Sequence, residues 1–367
     1  MKVESTWEPD WYQEQDKPGI LALNQMEYGD VALSHEAYFD WLQNQNPMGS
    51  PIIPLAREKG TGKVVGFGMY VPMRVSWAGE ARPALIGFNL VVAQAYRRQG
   101  IFRIIATVGP EEGKKRGYHF FYLFPNPRSL RGHRKWNDHI VSQIPLVIRP
   151  LDVASLTKAH VGNLFLKWGV NVGWKIGGAT LWRERRPGQG SLPLNILEDT
   201  NFDDSYDRFW QQVKTKYDLM LVRDRAFLQW RFHDIPSRSY RALSVRQGTD
   251  ILGYVILRQT EIMESSVGLI ADFLVVPGEY GNQAGLYLLH EVLQQFKQAQ
   301  LSLSGGLMLP HTQEYAIMRQ AGYLRAPRWF APQPFHLVIG DLAGGTPLNA
   351  LIRPEGWYIS IADHDAV

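Results

Sequence analysis

The 367-residue sequence contains no cysteine. Disulfides, thiolate metal sites and a cysteine nucleophile are therefore excluded. No run approaches the ~18 apolar residues of a membrane span. Residues 1–19 are polar and acidic, without the apolar core of a signal peptide, so a soluble, cytoplasmic protein is expected. An excess of one charge is missing too. Lys and Arg number 39 against 35 Asp and Glu, and the resulting +4 is too weak a field to argue for nucleic acid. The ten histidines are scattered, and His133 with His139 lacks the i, i+4 spacing of a helical zinc pair, so no metal is expected. A Gly-Lys-Ser/Thr phosphate loop, a complete Gly-x-Gly-x-x-Gly and a Gly-x-Ser-x-Gly nucleophile elbow are all absent.

What remains is an ordinary globular composition, 45% hydrophobic and 20% charged, on a chain long enough for two cores. The 12 Trp and 16 Tyr suit the walls of a sizeable pocket or a domain seam, although aromatics more often fill cores. Residues 20–23 read as a first strand, and residues 34–45 as a helix with Ser34 as N-cap. Residues 63–71 read as a strand after the turn Gly60-Thr61-Gly62, and residues 83–92 as an apolar central strand. A helix over 100–116 and a short strand over 118–124, closed by Pro125, give the βαβ order of a parallel strand pair.

Residues 151–193 mix helical and Gly-rich character, with 183–190 as a linker. The same order of elements then returns. A hairpin over 241–245 and 251–259 precedes a central strand over 268–276. A helix over 283–298, a strand over 303–309 and a helix over 311–320 stopped by Gly322 follow. The expected organisation is a first domain over 1–150, a helical or linker segment over 151–193 and a second domain over 194–367.

The most informative segment runs from Asn89 to Arg103. Leu90, Val91 and Val92 leave the buried strand, Arg97-Arg98-Gln99-Gly100 turn, and Ile101-Phe102-Arg103 open the helix. Backbone N–H groups at the positive end of a helix form an anion site, and Gly100, without a Cβ, lets an anion approach the backbone. The basic clusters Arg97-Arg98, Lys114-Lys115-Arg116 and residues 128–135 suit a phosphate-bearing small molecule better than a long polyanion. On the loop alone, an ordinary strand-to-helix turn is the equal alternative.

Tyr96-Arg97-Arg98-Gln99-Gly100-Ile101 resembles the pyrophosphate loop of the GNAT N-acetyltransferases, Arg/Gln-x-x-Gly-x-Gly/Ala after the fourth strand, with Phe102 where a second small residue is usual. Phe124-Pro125-Asn126 and Ser129 resemble the end of that family's fifth strand. His133 stands where a Tyr is usual, and Asn137 where a Gly is usual. Further marks resemble the larger two-domain GNAT-like proteins: Asn46-Pro47, Val65-Gly66, Phe227 to Arg231 and Trp357-Tyr358-Ile359. In the second half Met318 to Tyr323 resembles the later family motif, whereas Gly278 to Gly285 lacks the cofactor loop.

The resemblance implies an α/β fold of tandem GNAT-like domains, each a mixed β-sheet, parallel at its centre, flanked by helices. It also implies an enzyme, an N-acyltransferase that moves an acetyl or longer acyl group directly from acyl-CoA to an amine of a small molecule, sugar or peptide. Main-chain N–H groups of Leu90, Val91 and Val92 would hold the thioester carbonyl. Arg97, Arg98, Gln99, Gly100, Ile101, Phe102 and Arg103 would surround the pyrophosphate, with Asn126 and Ser129 along the pantetheine arm. His133 would protonate the departing sulfur. The fourth strand lacks the usual acid, which leaves Asp272, Asp363, the chain terminus or water to take the amine proton. Two other readings stand beside this one: a Fem-like aminoacyltransferase charged from tRNA, and a catalytically silent acyl-CoA-binding module.

Overall fold

A computed structural model describes residues 5–135, 138–152, 193–262, 265–327, 335–342 and 348–364. Most of the 151–193 segment, the 183–190 linker, Asn137 and the chain terminus lie outside these residues. The chain forms two compact units. The first comprises Met1–Ser142, Asp234–Arg238 and His336–Gly356; the second comprises Gln143–His233, Ser239–Phe335 and Trp357–Val367.

The sheet of the first unit is built from β1 (Trp7–Trp11), β2 (Pro54–Glu58), β3 (Val64–Trp77), β4 (Glu80–Val92), β5 (Phe120–Leu123) and β6 (His139–Ile144). The strands that build the sheet of the second unit are β7 (Leu146–Pro150), β8 (Asn195–Asp199), β10 (Arg241–Gln247), β11 (Asp250–Ile262), β12 (Ser265–Val275), β13 (Leu303–Leu307) and β14 (Leu324–Arg325). A short strand, β9 (Leu219–Leu221), also lies in the second unit, and β15 (Phe335–Asp341) returns to the first. The first sheet runs β1-β2-β3-β4-β5-β15-β6 and the second β14-β7-β13-β12-β11-β10-β8. Each contains a parallel pair near its centre, β4 with β5 and β12 with β13. Each also places an antiparallel strand from the other half of the sequence beside that pair, β15 next to β5 and β7 next to β13. The expected α/β architecture with two sheets is observed.

Helix α1 (Lys17–Tyr28) covers the segment expected to begin with a strand at 20–23. Ile20, Leu23 and Asn24 are buried at helical spacing, and Pro18 sits in the first turn, where its missing N–H is harmless. A four-residue apolar run is compatible with either period, and here the helix wins. Helix α2 (Glu36–Asn44) starts two residues after the expected cap, because the Ser34 hydroxyl donates to the Gly29 carbonyl at 2.8 Å.

Helix α3 (Ile101–Lys115) lies on β3 and β4, and the sequence of β3 explains how closely. A Cβ at Gly66 would fall 2.8 Å from the Ile101 side chain, and one at Gly68 only 2.7 Å from Ile105. Glycine at both positions lets Ile101 and Ile105 pack into the core with Trp7, Ala56 and Val65. That packing fixes the N-terminus of α3 against the end of β4. Among the described residues no helix is long and apolar enough to cross a membrane.

Candidate active site

β4 pairs with β3 along its whole length, from Glu80 to Val92, but its parallel ladder with β5 stops at Ile86 opposite Tyr122. Beyond that point the two strands part, and Gly87 to Leu90 become partly exposed. The register with β3 shifts between Phe67 and Met69, and Asn89 adopts a left-handed backbone, φ 50°. A bulge of this kind bends a strand away from its neighbour and re-aims its N–H groups. Leu90, Val91 and Val92 follow the bulge directly. Leu90 and Val92 turn their side chains to the cluster under α3, while Val91 is buried.

The loop expected to hold the pyrophosphate is exposed from Arg97 to Gly100. Arg98 (φ 66°) and Gly100 (φ 88°) are both left-handed and flank Gln99. Ile104 N–H makes the first helical bond, 3.1 Å to the Gly100 carbonyl, so the amides of Ile101, Phe102 and Arg103 precede the ladder. No side chain caps this end, and a Cβ built at Gly100 would meet no atom within 4 Å. Arg97 is braced from behind by the Val92 carbonyl (3.1 Å) and by Glu27, and Gln99 by Thr6 (3.3 Å) and the Ala95 carbonyl (3.2 Å). Arg98 and Arg103 are exposed beside the loop.

Helix α4 (Pro127–Lys135) follows β5. Asn126 caps it, its Oδ1 accepting from the amides of Arg128 and Ser129 at 3.0 Å, and the Ser129 hydroxyl donates to the Asn126 carbonyl at 3.1 Å. Capping alone accounts for Asn at this position. His133 is buried, with its Nδ1 2.8 Å from Asp138 Oδ2 and its ring edge-on to Phe102 at 6.4 Å between centroids. The unexpected Phe102 thus has a use: it ties the first turn of α3 to His133.

Sequence reasoning missed two residues of this unit. Asp138 orients His133 but has no signal of its own in the sequence. His336 belongs to β15, whose register pairs Val338 with Leu123 and so brings His336 level with Pro125, past the point where β4 and β5 part. Burial and, after it, the positive charge of Arg134 hold the His336 imidazole below its ordinary range, so it is neutral at physiological pH.

The two carboxylates considered as bases stand elsewhere. Asp272 and Asp363 lie in the second unit, fully buried, on the two sides of one equally buried guanidinium. Arg223 Nε is 3.0 Å from Asp272, and a terminal nitrogen of Arg223 is 2.6 Å from Asp363. Tyr254 (2.7 Å) and Ser360 (2.7 Å) donate to Asp272, and the Ser360 amide (2.8 Å) donates to Asp363. Burial raises the Asp363 carboxyl above its usual range, although Arg223 opposes the shift. Carboxylates so enclosed and paired neutralise a buried arginine, and that placement departs from the expectation of a base open to an amine.

The second unit also shows what became of its own parting strands. The β12–β13 ladder ends at Ile270 opposite Gly306, yet the Val275 amide beyond it donates to the fully buried Glu314 at 3.1 Å. Lys216 (2.6 Å) and Tyr217 hold that carboxylate, and the Tyr358 hydroxyl donates to the Phe273 carbonyl. At the adjoining helix start, Gln313 Nε2 donates to the Gly278 carbonyl at 2.8 Å. In the second unit protein groups thus satisfy the strand end beyond the parallel ladder.

Residues 10–137 match the model of the Acetyltransferase (GNAT) family. No curated protein sequence matches the chain. Among solved structures, a GCN5-related N-acetyltransferase from Anabaena variabilis is similar at a TM-score of 0.64 and 14% identity, over 92% of this chain and 73% of that one. A probable N-acyltransferase from Enterococcus faecalis is similar at 0.64 and 11% identity, with the same coverage. The N-myristoyltransferase of Saccharomyces cerevisiae with bound myristoyl-CoA is similar at 0.58 and 12% identity, over 92% of this chain and 83% of that one. These likenesses carry the fold across both units, and the family match falls on the first unit. Residues 10–137 are therefore similar in sequence to the GNAT acetyltransferases, and the fold over both units is similar to that of solved N-acyltransferases.

Proposed function

We propose that the first unit binds one acyl-CoA and passes its acyl group directly to a primary amine in the cytoplasm. The observation that carries this reading is the contrast between the two sheets. Beyond the β4–β5 ladder an exposed loop with left-handed Arg98 and Gly100 leads into α3, whereas beyond the β12–β13 ladder the Val275 amide is already taken by the buried Glu314. The amides from Gln99 to Arg103 would take the pyrophosphate, with Arg97 and Arg98 alongside. Asn126 and Ser129, at the end of β5, would border the pantetheine arm.

In the reaction, amide N–H groups at Leu90 to Val92 donate hydrogen bonds to the thioester oxygen as negative charge develops on it during attack by the amine. A C–N bond forms, the C–S bond breaks, and the thiolate leaves. His133, oriented by Asp138, delivers a proton to sulfur, and neutral His336 takes the proton lost by the amine. The second unit contributes to acceptor binding, with a small molecule, sugar or peptide as the acceptor. The structural likeness to an N-myristoyltransferase makes long-chain acyl-CoA a donor to test beside acetyl-CoA.

The direct test is thiol release followed with a disulfide reagent, which the cysteine-free chain leaves without background. Acetyl-, octanoyl- and myristoyl-CoA are each offered with glucosamine, ethanolamine, glycinamide and a glycine-initiated hexapeptide. Amine-dependent thiol release, with the matching N-acyl product by mass spectrometry, supports the reading. Saturable binding without release from any pair would leave a silent binding module. Transfer only from charged tRNA would leave the aminoacyltransferase.

A further inference from the structure

Asn89 carries two anomalies that the steps above do not use. The first is its left-handed backbone, φ 50°, in the interior of a strand. Residues other than glycine avoid this region, and Asn is among the few that tolerate it. The second is its carboxamide. Both Oδ1 and Nδ2 are screened from solvent, and among the described residues neither has a hydrogen-bond partner. A primary amide held in this way has exchanged water for nothing in the protein, a state that native structures rarely leave unexplained. Glycine at this position would remove both penalties at once.

The place of the anomaly gives it meaning. Asn89 stands three residues beyond Ile86, where the β4–β5 ladder ends, and directly before Leu90. An unpaired donor and an unpaired acceptor are thus held on the bulge beside the amides assigned to the thioester carbonyl. Strain and an unsatisfied polar group coinciding at one residue of a candidate site point to a partner supplied by substrate.

We propose that Asn89 positions the acceptor: Oδ1 accepts a hydrogen bond from the N–H of the attacking amine, and Nδ2 donates to an oxygen on the same acceptor. This role rests on the acyl-transfer reading above. The carboxamide neither gains nor loses a proton, so it orients the neutral nucleophile without favouring the ammonium form as a carboxylate would. The matching substrate class is a primary amine with a neighbouring hydroxyl or carbonyl oxygen, as in an amino alcohol, an amino sugar or a peptide N-terminus.

The test compares wild type with Asn89→Gly, which keeps the left-handed backbone accessible and deletes the carboxamide. Donors are acetyl- and myristoyl-CoA. Acceptors are ethanolamine, glucosamine, glycinamide and a glycine-initiated hexapeptide, with n-butylamine as the amine that lacks an oxygen. The expected result is a loss of about tenfold or more in kcat/KM for the oxygen-bearing amines. n-Butylamine, which can use Oδ1 but not Nδ2, loses less than the oxygen-bearing amines; the acyl-CoA Kd stays within about twofold, and Tm is equal or higher. Equal losses for all amines, unchanged kinetics, a tenfold weaker acyl-CoA Kd or a clear fall in Tm would each overturn the assignment. If wild type binds no acyl-CoA and releases no thiol, the acyl-transfer reading itself fails, and Asn89 loses its role with it.

Discussion

Replacing Arg223 by Met removes the cation from the most enclosed charge cluster of the second unit while keeping a side chain of similar length. Asp272 and Asp363 would then face each other's surroundings with no guanidinium, at exposures of 0% and 1%. The remaining donors to the pair, the Tyr254, Tyr358 and Ser360 hydroxyls and the Ser360 amide, are neutral. Breaking a buried ion pair by deleting one partner typically costs about 3–5 kcal/mol, because a charge is left buried and uncompensated. For a domain of this size that corresponds to a fall in Tm of roughly 6–20 °C. Thermal and urea unfolding of Arg223→Met measure it. Adding Asp272→Asn and Asp363→Asn to the same chain removes the stranded charge and is expected to restore a large part of the loss, as a coupled network requires. A single substitution that moves Tm by less than about 2 °C, or a triple variant no better than the single one, would refute the reasoning.

Three further outcomes follow from the first unit. Gly109→Ala would place a Cβ 2.1 Å from the Tyr70 ring, which is buried and bonded through its hydroxyl to the Ile105 carbonyl, so a loss of about 1–3 kcal/mol in urea unfolding is expected. Asp138→Asn should lower kcat about tenfold with little change in acyl-CoA Kd, since it acts on the orientation of His133 alone. The His336 imidazole, depressed in the folded state by burial and by Arg134, favours folding fully above its unfolded pKa of about 6.5 and loses that contribution as pH falls below it. The acid limb of kcat/KM should accordingly lie below pH 6.5, and Arg134→Leu should shift it upward; a limb that ignores Arg134 would remove His336 from the proton path.

Much of this was legible locally. The helix that begins at Ile101, the strand before it and the anion loop between them are written in a contiguous stretch whose periodicity and Gly100 carry the signal. The repeated order of strand, helix and strand likewise gave two sheets with parallel centres. Residues 20–23 misled because four apolar residues fit either period, and the buried face of α1 becomes visible only when Asn24 is counted as interior. The sequence held no sign that β15 completes the first sheet, or that β7 joins the second. Those pairings span some two hundred residues in one case and over one hundred and fifty in the other, and strands of similar composition are interchangeable on paper. The sequence offers Asp272 as a candidate base because its partner Arg223 lies far away in the chain and their pairing is invisible there. The same holds for Glu314, whose hold on the Val275 amide satisfies the strand end of the second sheet.

The central claim is one acyl-CoA site per chain, at the start of α3. Isothermal titration of wild type and Gly100→Trp with acetyl-CoA and myristoyl-CoA tests it most directly. No atom lies within 4 Å of a Cβ at Gly100, so the indole fits sterically and fills the place assigned to pyrophosphate, although a side chain at φ 88° costs about 1–2 kcal/mol. Saturable binding at one site per chain is expected for wild type, and none for the variant, whose Tm falls by only about 2–8 °C. Absence of binding in wild type, a second site of equal strength, or binding that survives the indole would contradict it.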